Sequence, residues 1–215
     1  MKKISVKQLV LLAMLAAMAY VIVSVVRIPV ILFLKYEPKD VIITIGGFLL
    51  GPMAAFITSL VVSLLEMVTI SETGPIGCLM NLISTCAFSC TAAFIYKRKH
   101  TLRGAVAGLT VGWVFMIGVM LLWNWLITPL YMGVERSAIE QMLFPVFLPF
   151  NLLKGGLNSA IVLLLYNPLV TALRRTGLVE MSSAKPGHSK YGIYLLAGAL
   201  LATCIVLLLV LQGKI

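Results

Sequence analysis

The chain has 215 residues, 61% of them hydrophobic and 11% charged, with a mean hydropathy of +1.07. That balance excludes a soluble domain and indicates an all-α integral membrane protein with several spans. The formal net charge is +10, but the basic residues stand between apolar runs, where they set membrane orientation and do not form a nucleic-acid surface.

The N-terminal lysines lead into a long apolar run without a signal-peptidase site, so this run is predicted to stay as a membrane helix, from about Val6 to Val26. Ala13, Ala16 and Ala17 form a small-residue stripe on it, with Ala13 and Ala17 one turn apart. Such a stripe suits close helix packing, either inside the protein or against a partner membrane subunit. Arg27 to Asp40 reads as a loop with Pro29, Pro38 and the charges Lys35, Glu37, Lys39 and Asp40. Its apolar part, Ile28 to Leu34, is too short to span and is expected to re-enter the membrane or to lie over the protein.

A short second helix is predicted from Asp40 to Leu50, broken by Gly51-Pro52, and a third from Met53 to Ile70. After the turn Ser71–Pro75, a fourth covers Ile76 to Tyr96, and Lys97-Arg98-Lys99-His100 with Arg103 forms the densest basic loop. A fifth helix covers Gly104 to Thr128, and a sixth runs from Val146 to Leu173, stopped by Arg174-Arg175. Residues 1–175 are thus read as a six-helix membrane domain, 176–190 as a cytoplasmic linker, and Tyr191 to Leu211 as an additional, seventh spanning helix. An even number of helices with the N-terminus inside puts the three basic clusters in the cytoplasm. Cys78, Cys86, Cys90 and Cys204 lie in or beside apolar segments with no C-x-x-C spacing and are read as small packing residues.

This topology assigns depths to the polar residues. At about 1.5 Å rise per residue, Glu66, Asn81 and Asn124 fall about 6–7 Å below the outer ends of their helices. Asn151 and Lys154 fall about 8–12 Å below the end of theirs. They are three apart, so they share one face. A lysine near a bilayer centre costs roughly 2.5–3.5 kcal/mol, so converging polar groups of this kind indicate a site. Two plainer roles stand beside that reading: Glu66 as the counter-ion of Lys154, and Asn81 and Asn158 as interhelical hydrogen bonds. Trp123, Trp125 and Tyr131 suit an aromatic belt, and an inward-facing Asn124 would bring a flanking Trp near a ligand. G-x-S-x-G, H-E-x-x-H and P-loop patterns are absent from the sequence, and no metal ligands or catalytic residues are assigned.

Tyr36-Glu37-Pro38-Lys39-Asp40 with Gly46-Gly47-Phe48-Leu49-Leu50-Gly51-Pro52 resembles the loop and second helix of substrate-binding (S) components of energy-coupling-factor (ECF) transporters. Thr73-Gly74-Pro75-Ile76-Gly77 with Met80-Asn81, Asn124 with Pro129-Leu130-Tyr131, and Pro149-Phe150-Asn151-Leu152-Leu153-Lys154-Gly155 are similar to the riboflavin-specific (RibU) branch. The resemblance spans about Lys7 to Arg175. It implies a six-helix bundle in the bacterial cell membrane, a vitamin taken from outside, no enzymatic activity and no cofactor beyond the transported riboflavin or FMN. Its partners would be a membrane coupling subunit, docked on Ala13 and Ala17, and two cytoplasmic ATPases. The ligand-binding residues it implies are Asn124, Asn151 and Lys154, with Asn81, Gly77 and Tyr36; Glu66 is added as an acid of the same region. Other ligands, such as thiamine, biotin or a pantothenate-like acid, and a structural or enzymatic membrane subunit, are the alternatives. Nanomolar capture needs about −12 kcal/mol. Over about 27 heavy atoms of riboflavin that exceeds the roughly −0.3 kcal/mol per atom of drug-sized ligands, so near-complete burial under a lid is expected.

Overall fold

The computed structural model describes residues 6–71, 73–175 and 190–214. Six helices among them are long and apolar enough to cross a membrane. The first is α1 (Val6–Val25), whose lipid-type face leaves most of it exposed while Leu11, Leu15, Ala16, Ala19 and Val23 turn inward. Ala13 and Ala17 are on the exposed side.

The segment after α1 is a β-hairpin, β1 (Ile28–Ile31) and β2 (Leu34–Tyr36), joined through Leu32-Phe33. It lies over the protein, as one of the two sequence readings had it, but as paired strands. Ile28, Val30 and Ile31 are β-branched, and Pro29 cannot donate a helical hydrogen bond, so extended backbone wins here. Leu32 takes a positive φ of 50° to close the turn.

Helix α2 (Lys39–Leu50) is short because it is the central strut: every residue from Lys39 to Phe48 is buried. It packs on α1, on α3 (Pro52–Thr69) and on the long helices that follow. A Cβ on Gly47 would come within 2.9 Å of Ala93 Cβ, so a glycine is needed for that crossing. The predicted fourth helix is one rod in two parts, α4 (Gly74–Thr85) and α5 (Thr91–Lys99), joined by a π-helical turn at Cys86–Cys90. Thr101 Oγ1 accepts the Gly104 N–H at 3.1 Å and caps α6 (Leu102–Leu126). Gly108 and Gly112 let α6 lie on the α5 rod, where a Cβ would meet the carbonyl oxygens of Ala92 and Phe88 at 2.6 and 2.5 Å.

The segment between the predicted fifth and sixth helices, Pro129 to Pro145, folds into α7 (Thr128–Met132), α8 (Arg136–Met142) and a π-helical turn at Leu143–Phe147. The turn runs straight into α9 (Leu148–Arg175), so the sixth span starts earlier than its apolar run does. The seventh helix, α10 (Lys190–Leu211), packs on α9 through small residues. Ala197 and Cys204 are buried, and a Cβ on Gly156 would sit 2.6 Å from Cys204 Sγ. Apart from Lys190, the expected linker 176–190 lies outside the described residues. Three apolar clusters result: α2, α5, α6 and α9 form one, α1–α3 a second, and the hairpin with α8, α9 and α10 a third.

Candidate ligand-binding site

Below the hairpin is a cavity of about 140 Å³, open at its mouth. Phe33, Leu34 and Lys35 roof it from the hairpin, Met80, Met120, Tyr131 and Phe150 give apolar and aromatic walls, and Asn81, Ser84, Asn124, Asn151 and Lys154 supply polar groups. Three helices, α4, α6 and α9, therefore bring the four site residues Asn81, Asn124, Asn151 and Lys154 to one space.

Each of these side chains is held before any ligand arrives. Asn124 Nδ2 donates to Met120 O at 2.7 Å, and its Oδ1 accepts from Thr128 Oγ1 at 3.0 Å. Asn151 Nδ2 donates to Phe147 O at 2.8 Å. Both bonds tie the amide to its own preceding turn and leave one further N–H directed away from it. Trp113 lies against Gly155, where a Cβ would come within 1.9 Å of the indole, and its Nε1 donates to Asn151 O at 3.3 Å. Lys154 Nζ stands 3.3 Å from Asp40 Oδ2 and donates to Ser84 Oγ at 3.1 Å.

Glu66 is not the counter-ion of Lys154. It accepts from Lys39 Nζ at 2.6 and 2.5 Å, and from Asn81 Nδ2 at 2.9 Å. Lys39 also pairs with Glu37 at 3.0 Å, and Glu37 with Arg27 at 3.2 Å. Arg27 closes the chain by donating to Ile70 O at 3.0 Å. Arg27, Lys39 and Lys154 thus balance Glu37, Asp40 and Glu66. Pairing is what makes such burial tolerable, because an isolated buried charge costs several kcal/mol.

Three other expected ligand contacts do not line the cavity. Glu66 is consumed by Lys39 and Asn81 as above. Tyr36 turns inward and donates to Asn158 Oδ1 at 2.9 Å; burial, then the nearby Asp40 carboxylate, raise its phenol pKa above the ordinary value. Gly77 sits where a Cβ would strike Thr73 Oγ1 at 1.8 Å, so it serves the packing of the turn that opens α4. Asn158 makes the interhelical bond read from the sequence by donating from Nδ2 to Asp40 Oδ2 of α2 at 3.4 Å. Of the aromatic residues, Tyr131 lines the cavity, Trp125 donates to Glu140 at 2.8 Å, and Trp123 packs on the core. Ala13 and Ala17 stay exposed, but Ala16 is buried, so the stripe divides between an outer and an inner role.

Asp40, Ser84, Arg27 and Glu37 were not singled out as site residues from the sequence. Asp40 is fully buried and accepts from Thr85 Oγ1 at 2.7 Å. A Lys-Asp pair opening an apolar helix reads as a membrane boundary. The signal that would have separated it is the polar series Asp40, Thr44 on one helix face, matched by Ser84, Thr85 and Ser89 on α4–α5.

The family described as "ECF transporter, substrate-specific component" matches residues 7–166. The chain belongs to this family. Among similar proteins, the riboflavin transporter RibU of Staphylococcus aureus is 29% identical over 178 residues, covering 79% of this chain and 93% of its own. The riboflavin transporter FmnP of Bacillus subtilis is 26% identical, covering 75% of this chain and 90% of its own. A solved structure described as the S component of a bacterial ECF transporter superposes with a TM-score of 0.67 at 29% identity. It covers 79% of this chain and 98% of that one. This S component is accordingly a multi-pass membrane protein of a transporter family.

Proposed function

We propose that this S component binds riboflavin from the outside and delivers it inward when coupled to an ATP-driven module of one membrane subunit and two ATPases. One observation carries the reading. Asn81, Asn124, Asn151 and Lys154 converge on one cavity whose walls are Met80, Met120, Tyr131 and Phe150. The flavin is a flat ring with an apolar dimethyl edge and a pyrimidine edge of alternating donors and acceptors. Asn amides offer both, and the Lys ammonium has three donors, of which Asp40 and Ser84 take two. The pairing of the buried acids also disfavours a cationic vitamin such as thiamine, whose charge would find Glu37, Asp40 and Glu66 already compensated.

The cavity opens at the end of the bundle opposite Lys97-Arg98-Lys99. With that cluster in the cytoplasm, the positive-inside rule puts the N-terminus inside and the hairpin outside. Residues 1–175 then act as the S domain, and 191–215 as an appended helix ending outside. Ala13 and Ala17 supply the small, exposed docking face for the coupling subunit.

Titration of the purified protein with riboflavin, read by tryptophan fluorescence, tests the assignment. Saturable quenching at nanomolar concentration is expected, helped by Trp113 against Gly155. Saturable binding of another vitamin with no response to any flavin would sink it.

A further inference from the structure

The last turn of the chain touches the roof of the cavity. Gly213 takes φ 67°, and the N–H groups of Gly213 and Lys214 donate to Val210 O and Leu209 O, each at 3.0 Å. This glycine stop ends α10 and fixes the direction of the preceding side chain. Gln212 Nε2 donates to Pro29 O at 2.6 Å. Pro29 belongs to β1, opposite Lys35 of β2, beside the irregular step of that ladder.

A hairpin of four plus three residues does not hold itself together in water. Here it has two supports. Its inward residues Val30, Leu34 and Tyr36 are buried in one cluster with Phe150 of the cavity wall and with Phe147 and Leu153 beside it. Against that same cluster lie Leu207, Leu208 and Leu211, the last turns of α10. The family match ends at residue 166, well before α10 begins.

We infer that α10 is a strut for the cavity roof: Gln212 is a positioning residue that, with Leu211, holds the β1–β2 hairpin down over the bound ligand. Phe33, Leu34 and Lys35 are the hairpin residues that face the cavity, so the stability of the hairpin sets how quickly a ligand escapes. The hairpin's tip carries the positive-φ Leu32, a conformation that persists only where surroundings enforce it. This role does not depend on which ligand is bound.

Hydrogen–deuterium exchange on the full-length apo protein tests it. Gln212→Glu removes the donor and sets a carboxylate against the Pro29 carbonyl; Gln212→Lys keeps a donor. Exchange over residues 28–36 should quicken at least fivefold in Gln212→Glu combined with Leu211→Ala, and about threefold in Gln212→Glu alone. Gln212→Lys should stay within twofold of the parent, and residues 102–126 should not change in any variant. With riboflavin, the doubly substituted protein should release ligand at least fivefold faster with an unchanged association rate. Unchanged exchange at 28–36, or an equal rise throughout the molecule, would overturn the strut. A parent protein that binds no flavin would instead overturn the ligand assignment, while the exchange result would stand.

Discussion

Lys154 of α9 is neutralised by Asp40 of α2, 3.3 Å away, and not by the other fully buried acid, Glu66. The two acids divide the work: Glu66 fixes Lys39 and Asn81, and Asp40 fixes Lys154. Lys154 is therefore held in place by Asp40 and Ser84 while its side chain lines the cavity.

Lys154→Met should abolish measurable riboflavin binding and destabilise the protein by about 3–5 kcal/mol, because Asp40 is then a buried charge that has lost its cation. Adding Asp40→Asn should restore most of the thermal midpoint but not the binding. Thermal unfolding in detergent and flavin titration on the same samples separate the two effects.

Asn124→Ala and Asn151→Ala each remove an amide already oriented by its own helix turn. Each should weaken binding 10- to 100-fold, or about 1.4–2.8 kcal/mol. The thermal midpoint of the ligand-free protein should move little in Asn151→Ala, since the Phe147 carbonyl loses only a secondary partner, and somewhat more in Asn124→Ala, which also deprives the buried Thr128 hydroxyl of its acceptor. A shift in midpoint with unchanged affinity would assign these residues to packing.

Tyr36→Phe tests a residue the sequence placed on the ligand and the structure places behind it. The lost O–H bond to Asn158 should cost about 1–2 kcal/mol of stability. Affinity for the flavin should change less than threefold in a titration. A tenfold or larger loss would return Tyr36 to the ligand shell.

Ala13→Leu with Ala17→Leu should leave flavin binding by the purified S component within twofold. Uptake in cells carrying the coupling module should drop at least tenfold, because branched side chains block close helix approach. Undiminished vitamin uptake would move the docking face elsewhere.

The spans, the appended helix and the cavity residues of α4, α6 and α9 were legible because lipid forces long apolar runs and makes any polar interruption conspicuous. The hairpin was not, because Ile28 to Leu34 is simply apolar and its strand pairing depends on contacts with distant helices. Lys39, Asp40 and Glu37 were hidden for the opposite reason. A cluster of charges beside prolines resembles a solvated loop, and only the tertiary fold folds Glu66 and Lys154 onto it. Gly108 and Gly112 likewise show their purpose only when the Ala92 and Phe88 carbonyls are seen beneath them.

The pairing of Arg27, Lys39 and Lys154 with Glu37, Asp40 and Glu66 reaches beyond recognition. Moving one elementary charge through a membrane potential is worth about 2.3 kcal/mol per 100 mV. Ion pairs whose charges cancel add nothing to that cost when an uncharged vitamin is carried across, so this buried network does not by itself tie uptake to the membrane potential.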